Sequence, residues 1–469
     1  MSLTSIDWLI VAGYFGYLIW AAVRANRSDR QGVESYLTAG RRLTLPAFVA
    51  TAVASWYGGI LGVGEYAWRY GVSNWLVFGA PYYLGAAIFA LFIAGRAHRS
   101  RLLSIPDQLR LAYGGKVAFS GSLVVFAMTI PGAYVLMMGV LLKMFLGWHL
   151  AVCLAIAVLS SLIYVLTGGF RSVVRTDVMY MAVMYTAFIV MVVALLLKFG
   201  GMDFLRANLP PSHFSWNGGR SAGYVVSWYF IAMSALVEPL FFEACYAAKT
   251  RQIARNGLLI SILFWMLFDF LTTTTGLYSR AVLGGDINGV EAFPRLADQV
   301  LPPGLKGLFL IGLAATIQST IDSYSLISAT LVGHDILARI RALQGRISEV
   351  ALIRWGLAFT GAGAFAIALG QQSVVNIWYR FGSLGTPTLL LPLALSYSEK
   401  LRFRPDWALA NILATAALVG WWFIMQGEGT TAVFPFSIPP IYIGLAVSLL
   451  LWTADHLTRT SGRDNGRAI

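Results

Sequence analysis

Thirteen apolar runs of about 20 residues recur along this 469-residue chain, near 5–23, 43–68, 74–95, 117–146, 148–167, 173–198, 223–248, 257–282, 305–337, 352–370, 374–397, 405–426 and 437–456. At about 1.5 Å of rise per residue, each is long enough to cross a bilayer as a helix. A lipid core offers no partner for free backbone groups, so such runs must form helices. Only 12% of the residues are charged, against about 25% in a soluble chain. The fold class expected is an all-α polytopic membrane protein with about 13 transmembrane helices.

The net charge of +13 invites a nucleic-acid reading, and its distribution argues against one. With the N-terminus placed outside, alternate loops become cytoplasmic, and they hold 25 of the 34 lysines and arginines. That asymmetry follows the positive-inside rule. It orients a multi-pass chain in the cell inner (plasma) membrane, N-terminus outside and C-terminus cytoplasmic. The first apolar run has no basic flank ahead of it and is read as a retained helix. The two cysteines, Cys153 and Cys245, lie in apolar runs and offer neither a disulfide framework nor metal-knuckle spacing. No connecting loop exceeds about 25 residues, too short for a soluble domain.

Two runs carry helix breakers near their middles. The second contains SWYGGILGVG (55–64) and the seventh SALVEPLFFE (234–243), with Pro239 after Glu238. Glycine and proline free backbone groups, which a bilayer tolerates only beside a buried cavity. The two runs stand five apart, an odd number, so two five-helix halves would have opposite topology. Interrupted helices at matching places of inverted repeats point to a transporter's midplane site. Close helix packing is the alternative for Gly58, Gly59 and Gly62.

The ninth run carries IQSTIDSYSLIS (317–328). On a helix Thr316, Ser319, Thr320 and Ser323 share one face, with Asp322 at its edge. Hydroxyls and free carbonyls supply the oxygen cage that a small hard cation needs, and a charge at depth faces a cavity or an ion. Helix-to-helix bonding is the ordinary alternative for isolated hydroxyls.

STIDS (319–323) resembles the Ser-Thr-Ala-Asp-Ser signature of the sodium:solute symporter family. YVLTGGFRSVVRTDVMYM (164–181) is similar to that family's Gly-Gly-x-x-x-Val-Val-x-Thr-Asp motif. TAGRR (38–42), AAKTRQIARNG (247–257) and LPPGLKGLFL (301–310) follow in family order. The resemblance covers nearly the whole chain and implies a LeuT-like core of 5+5 inverted repeats, with one helix before it and two after. The single domain 1–469 would divide into a leading helix and linker (1–42), a first repeat (43–198), a second repeat (223–397) and two trailing helices (398–469). The core sodium site it implies uses the carbonyls of Ala54, Tyr57 and Thr316 and the hydroxyls of Ser319 and Thr320. A second ion site would use Asp177, Asp322 and Ser323 beside Ser319. An ion pair of Asp177 with Arg171 or Arg175 is the alternative. Sodium is the only metal implied, as coupling ion, and no cofactor.

The sequence departs from relatives at the pocket. Sugar-carrying members use amide and acidic side chains where the fourth run offers almost none. Many relatives read Pro-x-x-x-Gln-Arg in the seventh run, where this chain has Glu243 and Ala244. Pocket candidates are Trp56, Glu65, Glu238, Trp378 and Arg380. Glu65 and Arg69, four apart, also suit a helical ion pair. The expected function is sodium-coupled import of a small organic solute. An amino acid or small carboxylate is favoured, on Arg380. A choline-type cationic amine, on Glu238 and the aromatics, and proton coupling are alternatives. No Gly-x-x-x-x-Gly-Lys-Ser/Thr loop is present for ATP drive, and no His-Glu-x-x-His or paired-carboxylate motif for an enzyme. A solute sensor on the same fold would need a partner protein for its output.

Overall fold

The computed structural model describes residues 3–25, 32–370, 374–425 and 438–464. Parts of the basic 24–42 linker and of the 455–469 tail lie outside the described residues. Among those described, the chain is helical throughout, and the one β-type pairing is an isolated bridge between Leu43 and Ala248. Nine helical stretches are long and apolar enough to cross a membrane. Four further expected spans are helical but fall outside that set: Ser5–Ala25, the first half of Leu150–Phe199, Leu305–Thr330 and Val374–Leu395. Side chains such as Leu197, 84% exposed, and Ile424, 78% exposed, cover the outer faces. Such surface is a liability in water and the natural lining of a bilayer.

Both expected breaks are present. Leu45–Trp56 ends in a 3₁₀ turn, Tyr57–Gly59, before Ile60–Tyr70 resumes. Ala222–Ile231 passes through a 3₁₀ segment, Ala232–Val237, to an extended Glu238. Pro239 then opens Pro239–Ala247, needing no amide partner at a helix start. The fourth expected span is also divided, with Gly115–Thr129 and Gly132–Leu146 meeting at Ile130 and Pro131. The spans expected at 148–167 and 173–198 are two helices within Leu150–Phe199 that meet at a kink, where Gly169 leaves the helical backbone with φ 54°. A β-carbon there would meet the Tyr36 carbonyl and ring. Glycine serves both the left-handed backbone and the close approach.

The core is organised around Leu305–Thr330. Every residue from 309 to 331 is buried, so this helix touches protein on all sides. Its start is held by Asp7, whose Oδ1 accepts the amides of Gly304 and Gly307, each at 2.8 Å. These two donors belong to the first turn, where no carbonyl precedes them. The TAGRR stretch closes the other end of the linker. Arg41 donates to the Tyr246 carbonyl (3.1 Å) and the Arg101 carbonyl (2.7 Å) and pairs with Glu34.

Candidate functional site

The Tyr57–Gly59 break lies directly against the hydroxyl face of Leu305–Thr330. Thr320 Oγ1 donates to the Ser55 carbonyl at 2.6 Å. Ser55 Oγ lies 3.2 Å from Ser319 Oγ and 2.8 Å from Ser323 Oγ. Ser319 Oγ donates to Asp177 Oδ1 at 2.6 Å. Gly58 permits this approach, since a β-carbon on it would fall on the Thr320 side chain. A hydroxyl has one proton and two lone pairs. Ser319 and Thr320 spend their protons on Asp177 and Ser55, which leaves their lone pairs for a cation. Thr316 likewise spends its proton, on the Gly312 carbonyl at 2.7 Å. Ala54 and Tyr57, the expected carbonyl ligands, sit buried where the helix changes to the tighter turn.

Asp177, Ser319 and Ser323 of the expected second ion site share one hydrogen-bonded chain through Ser55. Asp322 is buried beside them, and its carboxylate is turned to Gln318 (2.7 Å) and Tyr180 (3.5 Å). Asp177 forms no ion pair with Arg171 or Arg175 among the described residues. Its Oδ2 is buried, as is the neighbouring Thr51 hydroxyl. A buried carboxylate at membrane depth is costly, and a cation would relieve that cost. Ser55 and Thr51, four apart on the facing helix, were not read as site residues. Their signal is that spacing, opposite the glycine pair.

On the other side of the break opens a cavity of about 170 Å³. Trp56, Glu238 and Trp378 line it, as expected of pocket residues, together with Tyr82, Tyr134, Tyr324 and Asp269. Glu238 Oε1 accepts from Tyr324 (3.0 Å) and from the Leu240 amide (3.3 Å), capping the helix that Pro239 opens. Tyr134 stacks on Tyr324 with ring centres 5.4 Å apart, and Trp56 lies 5.6 Å from Tyr82. The Asp269 carboxylate takes the Tyr83 hydroxyl. It is a single acid inside the apolar run FWMLFDF (264–270), which is a readable signal. The two other candidates are not among the cavity's lining residues. Glu65 pairs with Arg69 at 3.0 Å. Arg380 is exposed, although Trp378, Phe381 and Gly382 line the cavity.

Residues 36–377 match the sodium:solute symporter family. The chain is 23% identical over 428 residues to the sodium/glucose cotransporter 4 of Danio rerio, covering 76% of this chain and 61% of that one. It is 23% identical to the sodium/myo-inositol cotransporter of Homo sapiens, covering 72% and 55%. It is 25% identical to the sodium/pantothenate symporter of Haemophilus influenzae, covering 69% of each. The chain thus spans little more than half the length of several of these relatives. Among solved structures, a Na+-coupled sialic acid symporter in a substrate-bound outward-open state superposes with TM-score 0.78 at 16% identity, over 97% of both chains. A nucleobase-cation-symport-1 family transporter in a closed conformation superposes with TM-score 0.62 at 13% identity, over 92% of this chain and 95% of that one. The fold is therefore a transporter fold, and the family is one of transporters, not enzymes. With its family match covering most of its length, the chain belongs to the sodium:solute symporter family.

Proposed function

We propose that this chain is a sodium-coupled secondary symporter that imports a small organic solute by alternating access. It would lie in the cell inner (plasma) membrane with thirteen spans, N-terminus outside and C-terminus cytoplasmic. Residues 43–198 and 223–397 would form inverted five-helix repeats. The observation that carries the reading is the oxygen cluster at the Tyr57–Gly59 break. There Ser319 and Thr320 have their protons committed and their lone pairs available. Sodium would take those hydroxyls with the carbonyls of Ala54, Tyr57 and Thr316. A second ion would take Asp177, Ser319 and Ser323, with Asp322 completing the negative surround. The solute would occupy the adjoining cavity, which shares Tyr57 and Gly59 with the ion site's helix. Ion and solute would thus contact the same interrupted helix, so one conformational change carries both. Each sodium entering gains about 2.3 kcal/mol per 100 mV of membrane potential.

The test is thermal stability of the purified protein in sodium against potassium at matched ionic strength. A ligand that binds only the folded state raises stability by mass action. Wild type is expected to unfold at higher temperature in sodium, and Thr320→Ala to lose that difference. A wild type indifferent to sodium would remove the ion assignment. A second reading, proton coupling, is favoured by the fully buried Asp177 carboxylate. It predicts a pH-dependent rise in stability that Asp177→Asn abolishes and sodium does not reproduce.

A further inference from the structure

The lining of the cavity beside the break carries one sign of charge. It includes two carboxylates, Glu238 and Asp269, and no lysine, arginine or histidine. The basic candidate Arg380 is exposed and is not among the lining residues. The rest of the wall is dominated by aromatic rings. Tyr134 and Trp378 stand 6.3 Å apart, Trp378 and Phe78 6.1 Å, and Trp56 stacks on Phe241 behind the wall at 5.1 Å. Both recorded hydrogen bonds to Glu238 fall on Oε1. Its Oε2 has no partner among the described residues and is not sealed in the packing. Asp269 by contrast is engaged, with the Tyr83 hydroxyl on Oδ2.

These features discriminate between solutes by charge. A carboxylate entering here would meet two acidic side chains and no cationic one, an unfavourable pairing. A neutral polyol would find hydroxyls and indole N–H groups to bond to, but would leave both acids without a counter-charge. An ammonium would gain on both counts. Its charge meets the open oxygen of Glu238, and ring faces attract a cation at about 6 Å or less. A buried, uncompensated carboxylate is costly in a bilayer, and a cationic solute offsets that cost on arrival. We infer that the solute is a small organic cation, an amine whose ammonium docks on Glu238 Oε2 and whose body lies among Trp56, Tyr134 and Trp378. This inference rests on the symport reading for the solute's role, but the charge preference of the cavity stands separately from sodium.

The experiment uses the full-length purified protein and shape-matched probes. Choline is compared with its neutral isostere 3,3-dimethyl-1-butanol, and phenethylamine with 2-phenylethanol and phenylacetate. Each is titrated to about 10 mM, where a site of millimolar or better affinity shows a clear stability shift. Sodium response is recorded without probe on the same samples. At least one ammonium probe is expected to raise the unfolding temperature with a half-saturating concentration about tenfold or more below that of its neutral partner. Phenylacetate is expected to have no effect. Choline against phenethylamine separates a quaternary head from a hydrogen-bonding one. Glu238→Gln is expected to erase the difference between ammonium and neutral isostere. Glu238 also caps a helix, so if that variant does not fold, the wild-type comparison decides alone. Equal or stronger binding of a neutral or anionic probe, or no response to either ammonium, overturns the inference. A sodium response beside an anion-preferring cavity removes the amine and leaves symport standing. An ammonium-preferring cavity without a sodium response supports the cation site and removes sodium coupling.

Discussion

Thr320 shows how much one hydroxyl decides. Its proton goes to the Ser55 carbonyl at 2.6 Å, so its oxygen presents only lone pairs to an ion. Thr320→Ser keeps the hydroxyl and removes a methyl, whereas Thr320→Ala removes the ligand. A hydrogen bond to a charged group contributes about 1.5–3 kcal/mol. Taking that as the scale for one cation ligand, Thr320→Ala is expected to weaken sodium binding by about ten- to a hundredfold. Thr320→Ser should stay near wild type, and sodium titration of the unfolding temperature measures both. A serine variant as impaired as the alanine one would point to lost packing. The hydroxyl face was legible in the sequence because three- and four-residue spacing is a local property of a helix. Ser55 was not, because it meets Ser319 and Ser323 only when segments over 260 residues apart touch. Arg380 lies outside the cavity lining for a geometric reason. Successive helical residues project about 100° apart, so Trp378 and Phe381 reach the cavity while Arg380 between them faces outward.

At the scale of the element, the two breaks were legible because glycine and proline announce them locally, and the glycines proved to serve packing as well. A β-carbon on Gly58 would strike Thr320, and one on Gly59 the Trp378 indole. Gly58→Ala is therefore expected to destabilise the protein by about 1–3 kcal/mol, as overpacking does. It should also lower sodium affinity by displacing Thr320, read in the same titration. Unchanged sodium affinity in a folded Gly58→Ala would show that the break and the hydroxyl face are not coupled. The π-turn Leu331–Ile336 was not legible, since it depends on what packs around it. It brings His334 to Asp107 (3.1 Å) and to Glu349, and Asp335 to Ser104 (3.0 Å). Burial works against the Asp107 charge, but the His334 hydrogen bond and charge, with Arg339, hold its carboxyl below the usual range. Arg339 in that group makes it a tie between helices and an unfavourable place for a cation. His213 in the short Pro211–Phe214 turn behaves oppositely. Burial pushes its imidazole below the ordinary value near 6.5, and the neighbouring Arg280 adds to that, against a hydrogen bond to the Trp68 carbonyl at 3.0 Å. With Nε2 donating to that carbonyl, Nδ1 is buried without a partner. A second proton there would have no acceptor. The folded state therefore binds fewer protons than the unfolded one, so stability rises with pH through this window. The contribution is full above about 6.5 and falls away below it, toward the depressed value. Hydrogen exchange of the Val72 amide, bonded to the His213 carbonyl at 2.9 Å, is expected to quicken relative to the intrinsic rate as pH drops from about 7.5 to 5.5. His213→Asn should flatten that dependence, and an unaltered profile in the variant would assign it to another group.

At the scale of the whole molecule, the charge asymmetry and the fold make one joint claim about orientation. The basic loops hold 25 of the 34 lysines and arginines, and each basic residue resists crossing to the outer side. With the proposed spans and orientation, the 199–222 loop lies outside and the 338–348 loop inside. Both carry exposed positions suited to reporters, Asp203 in the first and Gln344 in the second. The native Cys153 and Cys245 are buried, which keeps them from reagents. Asp203→Cys is expected to react with a membrane-impermeant maleimide in intact cells. Gln344→Cys should react only after the membrane is opened. The reverse pattern would invert the chain. The sodium cluster lies at the break and so is reached from either side, and sodium symport would then have to run with the basic loops outward. Reaction of both reporters in intact cells would mean that one of the helices between residues 222 and 330 does not cross. With one of those helices interrupted at Ala232–Val237, that outcome would remove the inverted-repeat reading while leaving the oxygen cluster at Ser319 and Thr320 in place.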